Sequence, residues 1–259
     1  MDFAHLHVAS AYSLRYGASM PDALVARAAE HGQRVLALTD RDGVYGAVRF
    51  VRACAAAGIA PVLGVDLALD LPHVLPPDEG VRHPPGTPLR GGAWVDPRHP
   101  RAVFLARDKR GWASLCRLLT AVHAGRGDEA RGDARGDARA VAATFEQIAA
   151  HSDGVVALLG PASPVIEALA RRRPDLADAL IGPWREVFGD RLHIEVVSHR
   201  AASGPLATAT AARALGWARE QGITAVLAHA VRYVEPQQAR VVDVLDASRR
   251  LVAPGQLTM

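Results

Sequence analysis

A chain of 259 residues with 49% hydrophobic content can bury a sizeable core, and it reads as one α/β domain instead of two small ones. No stretch reaches the roughly 18 consecutive apolar residues of a membrane helix, and the opening MDFAHLHVAS lacks the charged and apolar regions of a secretory signal. No membrane partner is expected, and the location expected is cytoplasmic.

The formal charge of +3 and pI near 9.2 lean basic, but the basic residues are spread along the chain, so nucleic-acid contact is permitted without being argued. Lys109 is the one lysine, an arginine bias that fits coding in a GC-rich genome. Cys54 and Cys116 lie in helical-looking segments without a CxxC pattern and read as reduced core thiols.

Residues 3–8 alternate polar and apolar like a strand. MPDALVARAAEHG follows, an amphipathic helix with Leu24, Val25, Ala28 and Ala29 on one face, Pro21 near its start and Gly32 after it. RVLALTD is a short apolar run ending in Asp40, as a buried parallel strand does, and GAVRFVRACAAAG is a second helix closed by Gly58. IAPVLGVDLAL is a third strand. This alternation predicts parallel pairing with right-handed crossovers and functional groups at the carboxyl ends of the strands.

Residues 72–100 are dense in Pro and Gly and read as a loop insertion. After the strand RAVFLARD and the helix RGWASLCRLLTAVHAG comes an imperfect Arg-Gly-Asp-Ala repeat over residues 125–140, with little apolar area to bury. It reads as a mobile, solvated loop; an adhesion role for its RGD tripeptides is discarded because there is no secretion signal. The alternation then resumes through the helix FEQIAAHSDG, the strand VVALLG, a helical stretch interrupted near Pro174, the strand RLHIEVVSH, the helix PLATATAARALGWAREQG, the strand ITAVLAHAV and the helix EPQQARVVDVLDASRRL. About seven strands alternating with helices point to a β/α barrel more than to an open sheet.

FAHLHVASAYSLRYGAS, LALTDRDGVYGAVRF and AGIAPVLGVDLAL, in this order, resemble the amino-terminal PHP (polymerase and histidinol phosphatase) domain of bacterial C-family DNA polymerases, particularly the error-prone alpha-subunit type. The match is dense over residues 3–69 and continues in register through AVFLARDKRGWASLCRLL, GVVALLG, HIEVVSH and AVRYVEPQQARVVDVL. The resemblance implies a distorted (β/α)7 barrel spanning residues 1–259, with a metal cluster at the carboxyl ends of its strands. In active members two or three ions polarise a phosphate ester and activate water.

Position by position, the resemblance also implies that this cluster is lost. The His-x-His of the first strand is His7 and Ala9, and an acidic ligand falls at Tyr16. The Thr-Asp-His signature reads TDR, keeping Asp40 but replacing the histidine with Arg41. The glutamate of Gly-Val-Glu is Asp66, a histidine before AVFLARD aligns with Arg101, and the cysteine or histidine after VVALLG is Pro161. The closing Asp-x-His is Ala230 and Arg232. A guanidinium is always protonated and has no lone pair to donate. A dication about 4 Å from one meets a repulsion of roughly 4 kcal/mol per unit charge at an effective dielectric of about 20.

No metal or other cofactor is therefore expected, and Arg41, Arg101 and Arg232 are expected to pair with Asp40 and Asp66 in the vacated space. A variant has the arginines outnumbering the carboxylates and binding a phosphate or sulfate. His5 and His7 as a fresh metal pair, holding zinc or manganese at a partial site, is the alternative, weakened by the want of a third ligand. Ser10, Tyr12 and Ser13 resemble family positions that shape the first loop, and His99, His123, His193 and His199 lie in separate segments. No P-loop lysine or GxGxxG spacing is present, and a polymerase palm with clustered aspartates is not found.

Two functions follow as expectations. One is a catalytically degenerate domain serving as a structural or interaction module of an error-prone DNA polymerase in repair synthesis. Its partners would be a polymerase region of the same or another chain and, through that assembly, DNA. The other is a metal-dependent phosphoesterase or 3′-exonuclease with a reduced site. By resemblance the chain is the amino-terminal portion of such a polymerase or a stand-alone remnant, without polymerase activity of its own.

Overall fold

The computed structural model describes residues 3–71, 99–124 and 141–250. The insertion expected over residues 72–100 falls outside them except for its last two residues, and the repeat at 125–140 falls wholly outside. Seven strands form one mixed sheet: β1 (Val35–Arg41), β2 (Ala60–Asp70), β3 (Arg101–Ala106), β4 (Ala143–Thr144), β5 (Val155–Leu159), β6 (Leu192–Val196) and β7 (Thr224–Leu227). Their order is β1-β2-β3-β5-β6-β7, with β4 beside β2. The helices are α1 (Pro21–Glu30), α2 (Ala47–Ala57), α3 (Lys109–Ala124), α4 (Phe145–Ala150), α5 (Pro164–Ala170), α6 (Pro174–Phe188), α7 (Thr208–Glu220) and α8 (Ala239–Arg250). No helix among the described residues is long and apolar enough to cross a membrane.

The parallel pairing expected over the first third holds between β1 and β2, whereas β3 runs antiparallel to both β2 and β5. No helix links β2 to β3 among the described residues, and antiparallel neighbours need no crossover helix. The first strand is corrected too. Residues 3–8 form no regular strand, only bridges at His5 and Val8. The segment is instead shared between two neighbours. On one side Ala37 and Thr39 donate to the His5 and Val8 carbonyls at 2.9 and 2.8 Å; on the other, Ala9 donates to the Val231 carbonyl and Val231 to that of His7 at 2.8 and 2.9 Å. Residues 5–9 thus join β1 to the chain just past β7, closing the barrel.

The helix ends follow from local chemistry. Pro21 opens α1, Gly58 closes α2 at φ +68°, a conformation glycine adopts without a Cβ penalty, and Thr144 and Gln147 cap α4 reciprocally. The interruption near Pro174 separates α5 from α6. The main core lies between sheet and helices, with Leu67, Phe104, Leu115, Leu159, Ile194 and Phe188 all essentially inaccessible; each such side chain contributes about 1.5–3 kcal/mol of burial. A second cluster around Leu24, Leu36, Leu38 and Phe50 seats α1 and α2.

Strand alternation places the site. In β2, Val65, Leu67 and Leu69 belong to the core under the helices, so Asp66 points into the barrel. In β6, Leu192, Ile194 and Val196 face the helices, which turns Glu195 inward. Val103, Leu105 and Leu158 line the interior as a small apolar floor. Because β3 is reversed, its first residue, Arg101, pairs with Ala68 and lands beside Asp66.

Candidate functional site

Asp66 is the centre of the polar cluster in the barrel mouth. Only 3% exposed, it accepts from Arg101 Nε at Oδ1 (2.9 Å) and from Arg41 Nε at Oδ2 (3.1 Å). Arg101 continues to the Asp66 carbonyl at 2.7 Å and to Asp42 Oδ1 at 2.9 Å. Burial works against the Asp66 carboxylate, but Arg101, then Arg41 and His7, hold it below the usual carboxylate range.

His7, itself 9% exposed, places Nδ1 at 2.8 Å from Glu195 Oε1 and Nε2 at 3.9 Å from Asp66 Oδ2; Nε2 is buried and has no hydrogen-bond partner. Burial alone would lower the imidazole's pKa. The buried carboxylate of Glu195, reinforced by Asp66, outweighs it and raises the value to about 9, so His7 is an imidazolium at neutral pH. Glu195 is 1% exposed, and Gly160 at the end of β5 leaves room for it: a Cβ there would stand 1.9 Å from Glu195 Oε2.

Tyr16 is clasped by cations. The guanidinium carbons of Arg41 and Arg232 lie 3.4 and 3.9 Å from its ring centroid. Two planar cations cannot stack on one face at such distances, so the ring is a filling between them. Arg232 reaches onward to Asp246 on α8 through two hydrogen bonds of 2.7 and 2.9 Å, and donates to the Tyr16 carbonyl.

Of the expected ion-pair cluster, Arg41, Arg101 and Asp66 come together and two members do not. Asp40 is a correction. It accepts from Ser10 N and Oγ and from Ser13 Oγ at 2.7–2.9 Å, with no arginine among these partners. The reason is parity: consecutive strand residues face opposite ways, so with Arg41 inward Asp40 points to the helix side, near Gly46 of the α2 cap. Burial, working against the Ser13 and Ser10 hydrogen bonds, pushes the Asp40 carboxyl up. Arg232 is the second correction, since its carboxylate is Asp246 in place of Asp40 or Asp66.

Asp42, Glu195 and Asp246 went unread in the sequence, and they balance the charges. His7, Arg41, Arg101 and Arg232 face Asp42, Asp66, Glu195 and Asp246, four cations to four anions. The excess of arginine on which a phosphate or sulfate site would rest is therefore not there. Glu195 did carry a signal, being the one acidic residue inside the apolar run LHIEVV.

The remaining positions contribute no side chain to the cluster. Ala9 is buried and serves through its backbone, Pro161 follows β5, and Ala230 sits at φ +50°. His5 packs edge-on against Phe3 and lies 5.9 Å from the His229 ring, away from the Glu195 partner of His7, so the two histidines do not act as a pair. The irregular run between them explains this, since equal facing requires an unbroken strand.

This donor set does not fit a polynuclear metal centre. Both oxygens of Asp66 are engaged by arginines and Nδ1 of His7 by Glu195, so the side chains at the family ligand positions already bond to protein partners. Among the described residues no group of three or more His, Cys, Asp or Glu side chains is arranged to hold an ion.

Fold and site together define a distorted β/α barrel with mixed strand directions and a polar cluster in its mouth. The model of the PHP domain family matches residues 5–199, and the chain belongs to that family. It is 34% identical over 247 residues to the error-prone DNA polymerase of Anaeromyxobacter sp. (strain K), covering 95% of this chain and 18% of the relative. To that of Symbiobacterium thermophilum it is 33% identical over 263 residues, covering 99% and 22%; to that of Mycobacterium tuberculosis H37Rv, 31% over 250 residues, covering 95% and 20%. The chain thus spans about a fifth of the length of these relatives.

Among solved structures, an amidohydrolase from Chromobacterium violaceum, with bound SO4 and no metal, superposes with a TM-score of 0.57 at 18% identity, covering 93% of this chain and 96% of that one. A protein named as a proposed metal-dependent phosphoesterase from Bifidobacterium adolescentis gives 0.56 at 13% identity, covering 98% and 99%. At these identities the likeness speaks for the fold.

Proposed function

We propose that this chain is a catalytically degenerate PHP domain that serves as a structural or interaction module of an error-prone DNA polymerase in repair synthesis. It works with a polymerase region of the same or a partner chain and meets DNA through that assembly. One observation carries the reading: Arg101 and Arg41 engage both oxygens of Asp66, while Glu195 engages His7. An ion would have to displace two guanidiniums from the oxygens of Asp66. The error-prone DNA polymerases that this chain resembles, and the high coverage of this chain in each match, support the polymerase context.

The test is a phosphatase and 3′-exonuclease assay of the wild-type chain and His7→Ala with added manganese or zinc, with metal analysis after desalting. Expected are no stoichiometric metal and no activity above the variant. Metal-dependent hydrolysis abolished by His7→Ala would overturn the proposal in favour of a phosphoesterase with a reduced site. That second reading is favoured by the unpartnered His7 Nε2, 3.9 Å from Asp66 Oδ2, as the place for a single zinc or manganese ion.

A further inference from the structure

The substituted site is connected to α8, and the connection has a direction. The α8 helix offers little apolar anchorage: Val242 and Ala247 are its buried hydrophobic residues among those described, whereas Val241 and Val244 are about half exposed. Its first turn is tied by Gln238 of the preceding 3-10 turn, whose Oε1 accepts from Ser19 Oγ at 3.0 Å and from Val234 N at 3.0 Å. Further along, Asp246 is gripped by the Nη1 and Nη2 atoms of Arg232. Arg232 cannot swing freely. Its guanidinium lies against the Tyr16 ring and also donates to the Tyr16 carbonyl.

The opposite face of that ring is covered by Arg41, whose Nε is fixed on Asp66. The contacts form one unbroken series, Asp66, Arg41, Tyr16, Arg232, Asp246, running from the barrel interior to α8. All five side chains are largely buried, so each planar group has few alternative positions; arginine is suited to such a series because one flat face can stack while the edge donates two parallel hydrogen bonds.

We propose that Tyr16, held between Arg41 and Arg232, is a latch by which the remodelled barrel mouth fixes α8, so that the attachment of this helix depends on residues inside the mouth. The latch is read from ring and guanidinium geometry alone and stands whichever way the metal assays fall. It accounts for an aromatic ring standing between two arginines: the ring presents two opposite faces and stacks on both guanidiniums at once, leaving the edge of Arg232 free to bond Asp246 and the Nε of Arg41 to bond Asp66. The essential element of the latch is the ring, whose two faces carry the two stacks.

The experiment is native-state hydrogen exchange on the full chain. In Asp246→Ala, which cuts the series at its outer end on α8, α8 amides are expected to exchange at least tenfold faster while those of β1, β2 and β5 keep wild-type protection. In Tyr16→Leu, which removes the stacking faces, the same selective loss is expected at α8, and Tyr16→Phe is expected to restore wild-type protection. If Tyr16→Leu leaves α8 within twofold of wild type, or if α8 and the strands lose protection together in both Asp246→Ala and Tyr16→Leu, the latch is refuted. Failure of Tyr16→Phe to protect α8 refutes the role of the ring.

Discussion

Asp66 and Asp40 are both buried carboxylates, yet their environments predict different costs of neutralisation. Asp66 answers two guanidiniums and lies near an imidazolium, so Asp66→Asn leaves buried cations short of charge and is expected to cost about 3–5 kcal/mol. Asp40 is held by hydroxyls and a backbone N–H, and burial already favours its neutral form, so Asp40→Asn is expected to cost about 1–2 kcal/mol. Urea denaturation of the two variants checks the order, and equal losses would contradict the charge assignment.

His7 predicts a pH dependence with a definite sign. Its pKa is about 9 in the folded chain against an ordinary value of 6.5, so the folded state binds the proton more tightly. The resulting stabilisation, on the order of 3 kcal/mol at most, is complete below about pH 6.5 and disappears as pH rises through about 9. Asp66, held low, acts at the other end: its contribution is present above the ordinary carboxylate range and is lost in acid. Urea midpoints between pH 6 and 10 should fall in the wild type and change much less in His7→Gln; parallel curves would rule out His7 as the titrating group.

At the scale of elements, β5 and β6 meet through a missing side chain. Gly160 gives Glu195 its space, and Gly160→Ala puts a methyl 1.9 Å from Oε2. Overpacking of this kind costs about 1–3 kcal/mol, and Glu195→Ala should absorb it, giving a favourable coupling in a double-mutant cycle followed by thermal unfolding. Additive losses would show that the two residues do not share the space.

The elements also mark what the sequence could disclose. Helices α1 and α2 were legible because apolar spacing, Pro21 and Gly58 all agree. The direction of β3 was not, since an apolar run such as AVFLA is the same in either orientation; only pairing reveals that Arg101 enters the mouth by the strand's first residue. The loss of family ligands could be read from side-chain identity, whereas the pairing of Arg232 with Asp246 depends on where α8 docks. The opposite facing of Asp40 and Arg41, by contrast, is a property of the sequence, since neighbouring residues on a strand point to opposite sides.

For the whole molecule, the ion-pair cluster predicts stability without a metal requirement. An ion specific for the folded state at 100 times its Kd adds about 2.7 kcal/mol through mass action. Manganese or zinc is expected to leave the melting temperature of the chain unchanged, and EDTA likewise. A saturable upward shift with either ion, absent in His7→Ala, would contradict this.

The segment from His5 to Ala9 has a consequence in time. It is hydrogen-bonded both to β1 and to Val231, more than 220 residues further along. It precedes β1 in the chain, yet its bonds to Val231 can form only after β7 and the residues that follow it are in place. Its docking is a long loop closure, with an entropic cost that must be met before contacts compensate for it. Removing residues 1–9 is therefore expected to leave α1, α2 and their strands able to form while abolishing the single cooperative unfolding transition. A segment that precedes every strand of the sheet completes its bonding after all of them, as the keystone of the ring.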